Sequence, residues 1–379
     1  MIQGMKKRAR LLYGATDLGA PHFSADLLWR TGFRVPDQLF LVEIGGKTFL
    51  FASPLEAGRA EKEADADAVV RVMGSGRVTI KEFLKARGIR RIEIPGGFPY
   101  EIAKELEKYF EITIAPDPWY PDRAVKSAGE IKEIEKAQAA TERAFSAALA
   151  FLRACRIRGA QVYDGGRPAT SEMVRKIIDD NLWDQGYLAT DTIVAGGVQA
   201  ADPHCIGSGV LQAHVPIVMD MFPVSLATHY YADMTRTVFK GEPSREYIKM
   251  YEVVRTAQED AIKKIRSGAD GQRIYHAVRD YFSEQGYRTR IDDTMAEGFI
   301  HGLGHGVGID IHEHPRLGSA TEILKKRNVV TVEPGLYYPK KRMGIPAGGI
   351  RIEDMVLVTH KGNKNLTKTP KDLQSVIIP

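Results

Sequence analysis

The apolar positions of the chain change period repeatedly, and each change marks an element. In "DQLFLVEIGGKTFLFAS", residues 37–53, two apolar runs flank Gly45-Gly46, which predicts a β-hairpin. "VTIKEFLKARGIRRIEI" (78–94) and "YEIAKELEKYFEITIA" (100–115) each read as a helix followed by a strand. Pro116, Pro118 and Pro121 then crowd into six positions where neither a ladder nor a helix interior can continue, so this stretch reads as a linker. The expected division is an α/β domain over 1–121 and a larger domain over 122–379.

Past the linker the pattern predicts helices near 127–154 and 170–185, the second capped by Thr170 or Ser171 with Gly186 just beyond its end. Two more are expected near 243–266 and 271–285. Strand-like runs are "DTIVAG", "VPIVMDMFPV", "HYYADMTRTVFK", "NVVTVEPGLYY" and "GIRIEDMVLVT". Strands and helices cluster rather than alternate, so the expected class is α+β, a largely antiparallel sheet with helices packed on one side. No short-period repeat and no low-complexity tract interrupts it.

Four of these greasy strands carry an acid: Asp220, Asp233, Glu333 and Glu353. A carboxylate buried among apolar neighbours costs several kcal/mol, of order 2–7 for a polar group without a partner, unless something positive compensates it. Any one of them could touch water or meet Arg236 or Arg351. Four together point to one or two divalent cations, which satisfy every acid at once. Asp220 and Asp233 are spaced to face each other on adjacent antiparallel strands.

"HGLGHGVGIDIHEHP", residues 301–315, adds four of the ten histidines. A helical zinc site is excluded there, because Arg316 stands where His-Glu-x-x-His needs its second histidine. Gly302, Gly304, Gly306 and Gly308 would also cost about 1 kcal/mol each inside a helix. The dinucleotide pattern fails, since Val307 or Ile309 occupies its third glycine, and no lysine completes a phosphate loop. What remains is one histidine ligand joining the four acids, with glycines permitting close backbone approach.

Composition narrows the partners. The net charge is only +5 over 379 residues, and the basic runs Lys6-Lys7-Arg8, Lys325-Lys326-Arg327 and Lys340-Lys341-Arg342 have no interleaved aromatics, so they read as solvated surface rather than a nucleic-acid groove. No apolar run has the length of a secretory signal or a membrane span, and a cytoplasmic protein is expected. Cys155 and Cys205 are too few for a disulfide framework and are expected as buried thiols. Cys205 follows His204, but neighbours in an extended chain point to opposite faces, which disfavours a Cys/His nucleophile.

With these residues assembled, nearly the whole chain resembles the creatinase/aminopeptidase P family of "pita-bread" metallopeptidases, which includes prolidase and methionine aminopeptidase. "PHCIGSG", "MDMFP…YYADMTRT", "HGLGHGVGIDIHE", "VEPGLYY" and "GIRIEDMVLVT" are similar to that family's motifs, and "ADLLWRTGF" to its creatinase-type N-terminal domain. The gap between the two aspartates is two residues longer than is usual in the family, so a longer hairpin tip is expected.

The resemblance implies a pair of divalent ions, manganese first with cobalt, iron or zinc as alternatives, held by Asp220, Asp233, His305, Glu333 and Glu353. Asp220 would serve one ion, Asp233 and Glu353 both, and His305 and Glu333 the second. It further implies hydrolysis of Xaa-Pro bonds by a hydroxide generated between the ions, with Glu333 as proton shuttle and His204 and His312 as hydrogen-bonding histidines. Arg351 would support the acids, His301 would line the proline site, and Arg316 would grip the substrate's terminal carboxylate. His214, His229 and His314 are expected to be structural. The implied substrate is a dipeptide with proline second, longer peptides being the alternative, and the implied assembly is a homodimer. A metal-free hydrolase or a binding module on the same fold is the remaining alternative.

Overall fold

The computed structural model describes residues 7–379; Lys6 of the first basic run lies outside them. The chain forms two compact units that part after Arg123. In the first, a six-stranded sheet runs in the order Ala68–Arg71, Lys47–Ala52, Leu39–Ile44, Arg8–Gly14, Arg91–Ile94, Glu111–Ile114. The predicted hairpin is there, closed by Gly45 and Gly46 at φ 59° and 82°, the left-handed pair that matches strand twist. The two predicted helix–strand pairs are Gly76–Ala86 with Arg91–Ile94 and Tyr100–Leu106 with Glu111–Ile114, and their strands add in parallel. Ile80, Leu84, Ile92 and Leu106 pack in one apolar cluster of the unit. Leu27, Leu41, Leu50 and Trp119 pack in another.

The second unit holds the four predicted long helices, Ala128–Ala154, Ser171–Asp184, Arg245–Lys264 and Gly271–Glu284. Ser127 and Glu130 form a reciprocal capping box at the first, and Thr170 caps the second. The unit is α+β with largely antiparallel strands, as expected, but the sheet is not one piece. A four-stranded sheet (Ile193–Gly196, Pro216–Met221, Met234–Lys240, Ile377–Ile378) and a five-stranded one (Glu313–Leu317, Gly304–Gly306, Val329–Val332, Asp354–Val358, Asn363–Asn365) stand beside short two- and three-stranded ribbons.

The division falls where two of the acids sit. "NVVTVEPGLYY" is two strands, Val329–Val332 and Gly335–Tyr338, interrupted by Glu333-Pro334; "GIRIEDMVLVT" is Gly348–Arg351 and Asp354–Val358, interrupted by Ile352-Glu353. The interruptions are at the same level, since Val332 pairs with Asp354 and Gly335 with Arg351. Pro334 has no amide hydrogen with which to continue the ladder. The freed backbone is used elsewhere: the Glu333 amide donates to Leu303 O at 2.9 Å and the Glu353 amide to Thr235 O at 3.0 Å.

Asp220 is the acid that does lie inside a strand. Its cross-strand partner is Thr235, so Asp233, just ahead of Met234–Lys240, is its diagonal neighbour rather than its facing one. The connection 222–233 sets this register; it folds back on itself, with Val224–Ser225 pairing to Tyr187–Leu188 and Val224 bridging to Tyr231.

Along Met234–Lys240, Arg236 points the other way from Thr235 and is wholly buried. Its guanidinium donates to Asp354 Oδ1 at 2.7 Å and to the Glu353 carbonyl at 2.5 Å, while Lys371 Nζ donates to Asp354 Oδ2 at 2.6 Å. Between them, Arg236 and Lys371 bring the Asp354 carboxyl to about 2 against the opposing effect of burial. Asp354→Asn leaves the buried Arg236 and the half-buried Lys371 without their anion. An unfolding free energy lower by about 3–5 kcal/mol is expected, read from a denaturant titration against the wild type.

Candidate metal centre

Asp220, Asp233, His305, Glu333 and Glu353 share one cleft of about 1040 Å³ in the second unit with His204, His301, His312, Arg316 and Arg351. Four of the first five are buried, and Glu333 keeps a side-chain exposure of 18%. Asp233, His305 and Glu353 each present an atom able to bind a metal, all within 4.8 Å of one another. His305 Nε2 is 3.6 Å from Asp233 Oδ2 and 3.4 Å from Glu333 Oε1. Its Nδ1 faces the Gly306 carbonyl at 3.1 Å. A carbonyl only accepts, so Nδ1 carries a proton, and Nε2 is the nitrogen turned to the acids.

Glycine brings the histidine this close. A Cβ on Gly304 would lie 2.1 Å from Thr331 O, and one on Gly306 would lie 2.4 Å from His314 O. The strand Gly304–Gly306 therefore fits between its two neighbours without side chains on either side of His305.

The electrostatics of the floor are one-sided. Burial, then the charges of Glu353, Asp220 and Glu333, raise Asp233 well above the carboxylate range. Burial, then Glu333 and Asp220, do the same to Glu353. Burial opposes ionisation of Glu333 too, yet hydrogen bonding to His305 brings its carboxyl down to about 2. Asp220 has a cation of its own, Arg351 Nη2 at 2.6 Å from Oδ2. The Thr235 hydroxyl lies 2.7 Å from Asp220 Oδ1 and 2.9 Å from Glu353 Oε2 while Arg351 Nε donates to it at 3.0 Å. The hydroxyl has one proton to give, and two carboxylate oxygens compete for it. Glu353 Oε1 is buried and has no hydrogen-bond partner among the described residues. Hard oxygen donors and one imidazole, short of positive charge and with an orphaned oxygen, fit divalent cations.

The rest of the cleft is ordered by a relay. Arg351 Nη1 donates to Tyr337 OH at 3.0 Å, Tyr337 OH lies 2.8 Å from His301 Nε2, and His301 Nδ1 lies 2.7 Å from the Gly302 carbonyl. Arginine cannot accept, so the tyrosine proton goes to Nε2 and the ring proton sits on Nδ1. Burial, reinforced by Arg351, lowers the His301 pKa and keeps the ring neutral. With both nitrogens engaged, His301 offers the cleft its ring carbons. His312 stands edge-on to His305 with centroids 4.4 Å apart, its pKa lowered by burial and by His305. The Arg316 side chain has no hydrogen bond or ion pair among the described residues.

Thr235 and Tyr337 complete this network, and sequence reasoning did not single them out. Thr235 had a signal in its place two residues beyond Asp233; Tyr337 looked like one more aromatic strand residue. His214, His229 and His314 lie outside the cleft, His314 paired with Glu322 at 2.8 Å. Cys155 is buried as expected, but Cys205 is only half-buried, because the segment 202–208 runs along the cleft mouth instead of through a core. Among the described residues no helix is long and apolar enough to cross a membrane.

Comparison with known proteins agrees with this chemistry. The model of metallopeptidase family M24 matches residues 132–360, more than half of the chain. The Xaa-Pro dipeptidase of Pyrococcus horikoshii is 33% identical over 299 residues, 77% of each chain, and that of Pyrococcus furiosus 32% identical over 340 residues, 88% of each. The crystal structure of the prolidase from Pyrococcus horikoshii OT3 superposes with a TM-score of 0.79 at 28% identity, covering 97% of this chain and 95% of that one. On the family match and on relatives aligned over three quarters or more of its length, the chain belongs to metallopeptidase family M24.

Proposed function

We propose that the protein is an Xaa-Pro dipeptidase whose cleft floor holds two divalent ions, manganese foremost. Asp220, Asp233, His305, Glu333 and Glu353 would hold these ions. The observation that carries this reading is the shortage of positive charge: two buried acids with raised pKa values and an orphaned Glu353 oxygen around a single imidazole. Ions bound there supply Lewis acidity and a water acidic enough to act as nucleophile near neutral pH.

The chain's own groups do the rest. Arg351 and the Thr235 hydroxyl hold Asp220 in one orientation. Glu333 takes a proton from the attacking water at its carboxylate and passes it to the proline nitrogen as that bond breaks. His204 and His312, on the cleft wall, hydrogen-bond the scissile carbonyl oxygen as it gains charge. His301 packs its ring carbons against the pyrrolidine, which asks for no hydrogen bond. Arg316 takes the proline carboxylate, and its unpartnered guanidinium favours a dipeptide over a longer chain. A homodimer in solution is part of the same proposal.

Elemental analysis of the purified protein is expected to find two divalent ions per chain. Chelation should abolish turnover, and Glu353→Gln and His305→Ala should each lower the bound metal and cut kcat/KM by more than about a hundredfold, equivalent to about 3 kcal/mol of transition-state stabilisation. A metal-free but active protein would instead identify the alternative hydrolase. Ala-Pro is expected to be cleaved and Ala-Pro-Xaa to resist. The reverse order of rates would move the enzyme to the aminopeptidases that act on longer peptides, and inactivity of the metal-loaded protein across an Xaa-Pro panel would leave a binding module. Arg316→Gln should raise KM for the dipeptide by about ten- to a hundredfold, the worth of one charge-assisted contact, with kcat less affected.

A further inference from the structure

We infer that the buried Lys126–Glu313 ion pair is the positioning device for His312; its activity readout rests on the peptidase reading above, its structural readout does not. Lys126 Nζ lies 2.5 Å from Glu313 Oε2, and the two side chains are 2% and 3% exposed. Neither residue lines the cleft.

The pair joins two distant parts of the second unit. Lys126 precedes Ser127, the cap of the helix Ala128–Ala154, and its backbone is fastened on both sides, the amide donating to Arg327 O at 3.0 Å and the carbonyl accepting from Arg327 Nε at 2.6 Å. Glu313 follows His312 directly and opens the strand Glu313–Leu317, where it pairs with Gly306, the neighbour of His305. His312, in the bend just before this strand, lines the cleft, while Glu313 beside it is buried in the protein.

Glu313 also gathers the bend from inside. Its Oε1 accepts the Asp310 amide at 3.2 Å. A Cβ on Gly308 would lie 2.2 Å from Glu313 Oε1 and 2.5 Å from Lys126 Nζ, so the bend closes over the pair only because that position is glycine. The His312 ring rides on this bend, 4.4 Å from the His305 ring.

An apolar pair of the same volume would serve stability as well as a buried ion pair does, or better. What it would lack is direction: a charge-assisted contact fixes where the Glu313 backbone sits, and with it the neighbouring imidazole. The structure thus separates two roles that an experiment can read apart.

Three variants of the full chain make the test: Lys126→Met, Glu313→Gln, and the double Lys126→Met/Glu313→Leu. In metal-free protein labelled with 15N-histidine, the His312 ring resonances, assigned with His312→Gln, should shift in all three. In the manganese-loaded enzyme, kcat for an Xaa-Pro dipeptide should fall about ten- to a hundredfold with KM within about twofold, as a misplaced hydrogen-bonding group predicts. The double variant should recover the melting temperature that the single ones lose, yet keep the depressed kcat. Wild-type ring resonances in the variants would overturn the proposal. So would a double variant with wild-type kcat, or a loss that tracks bound metal or melting temperature alone. An inactive wild type would refute the peptidase reading and leave the resonance test standing.

Discussion

Acids that share a desolvated floor must either hold protons or meet cations, and the second unit is built around that choice. Burial and the other acids push Asp233 and Glu353 toward the first course. Arg351 lies against Asp220, and His305 brings the Glu333 carboxyl down to about 2. The arrangement is therefore half-neutralised by design of its neighbours, and the half left over is the part that a divalent ion relieves by displacing protons.

Such a cluster cannot be assembled on one continuous sheet, where facing side chains come from two or three adjacent strands and the ladder consumes every amide. The interruptions at Glu333-Pro334 and Ile352-Glu353 break two paired strands at one level and release their amides to Leu303 and Thr235. Segments carrying the other site residues are thereby hydrogen-bonded to the backbone of the two glutamates themselves. The fault between the sheets and the site are the same feature seen at two scales.

This explains what could be read from the chain. A polar residue in an apolar run is visible whether it sits inside a strand, as Asp220 does, or at a break, as Glu333 and Glu353 do, so all four acids were legible. The breaks were not, because buried residues continue on both sides: Val329–Val332 and Gly335–Tyr338 are buried throughout, and the period does not change between them. Pro334 was a local hint; nothing comparable flags Glu353. The single-sheet expectation failed for this reason. The long helices, by contrast, depend on local chemistry and were found at the expected places, with Thr170 as the expected cap of the second. Thr235, Tyr337 and Lys126 stayed hidden because their roles come from contacts over long sequence separations: the Thr235 hydroxyl reaches Glu353, and Lys126 reaches Glu313.

Arg236 and Arg351 show why register decides the chemistry. Both are arginines of buried strands, and either could have quenched an acid of the floor. Arg351 pairs directly with one oxygen of Asp220, its other side-chain hydrogen bonds going to Thr235, Tyr337 and the Pro203 carbonyl. Arg236 alternates with Thr235 and so faces the opposite side, where Asp354 matches it. A slip of one residue in the pairing of Met234–Lys240 with Pro216–Met221 would exchange the two faces. Arg236 would then enter the floor in place of a hydroxyl, and the charge deficit that suits a pair of divalent ions would be gone. The side-chain contacts of Asp354 thus guard the cleft from behind: by holding Arg236 they keep a second fixed cation away from the four acids.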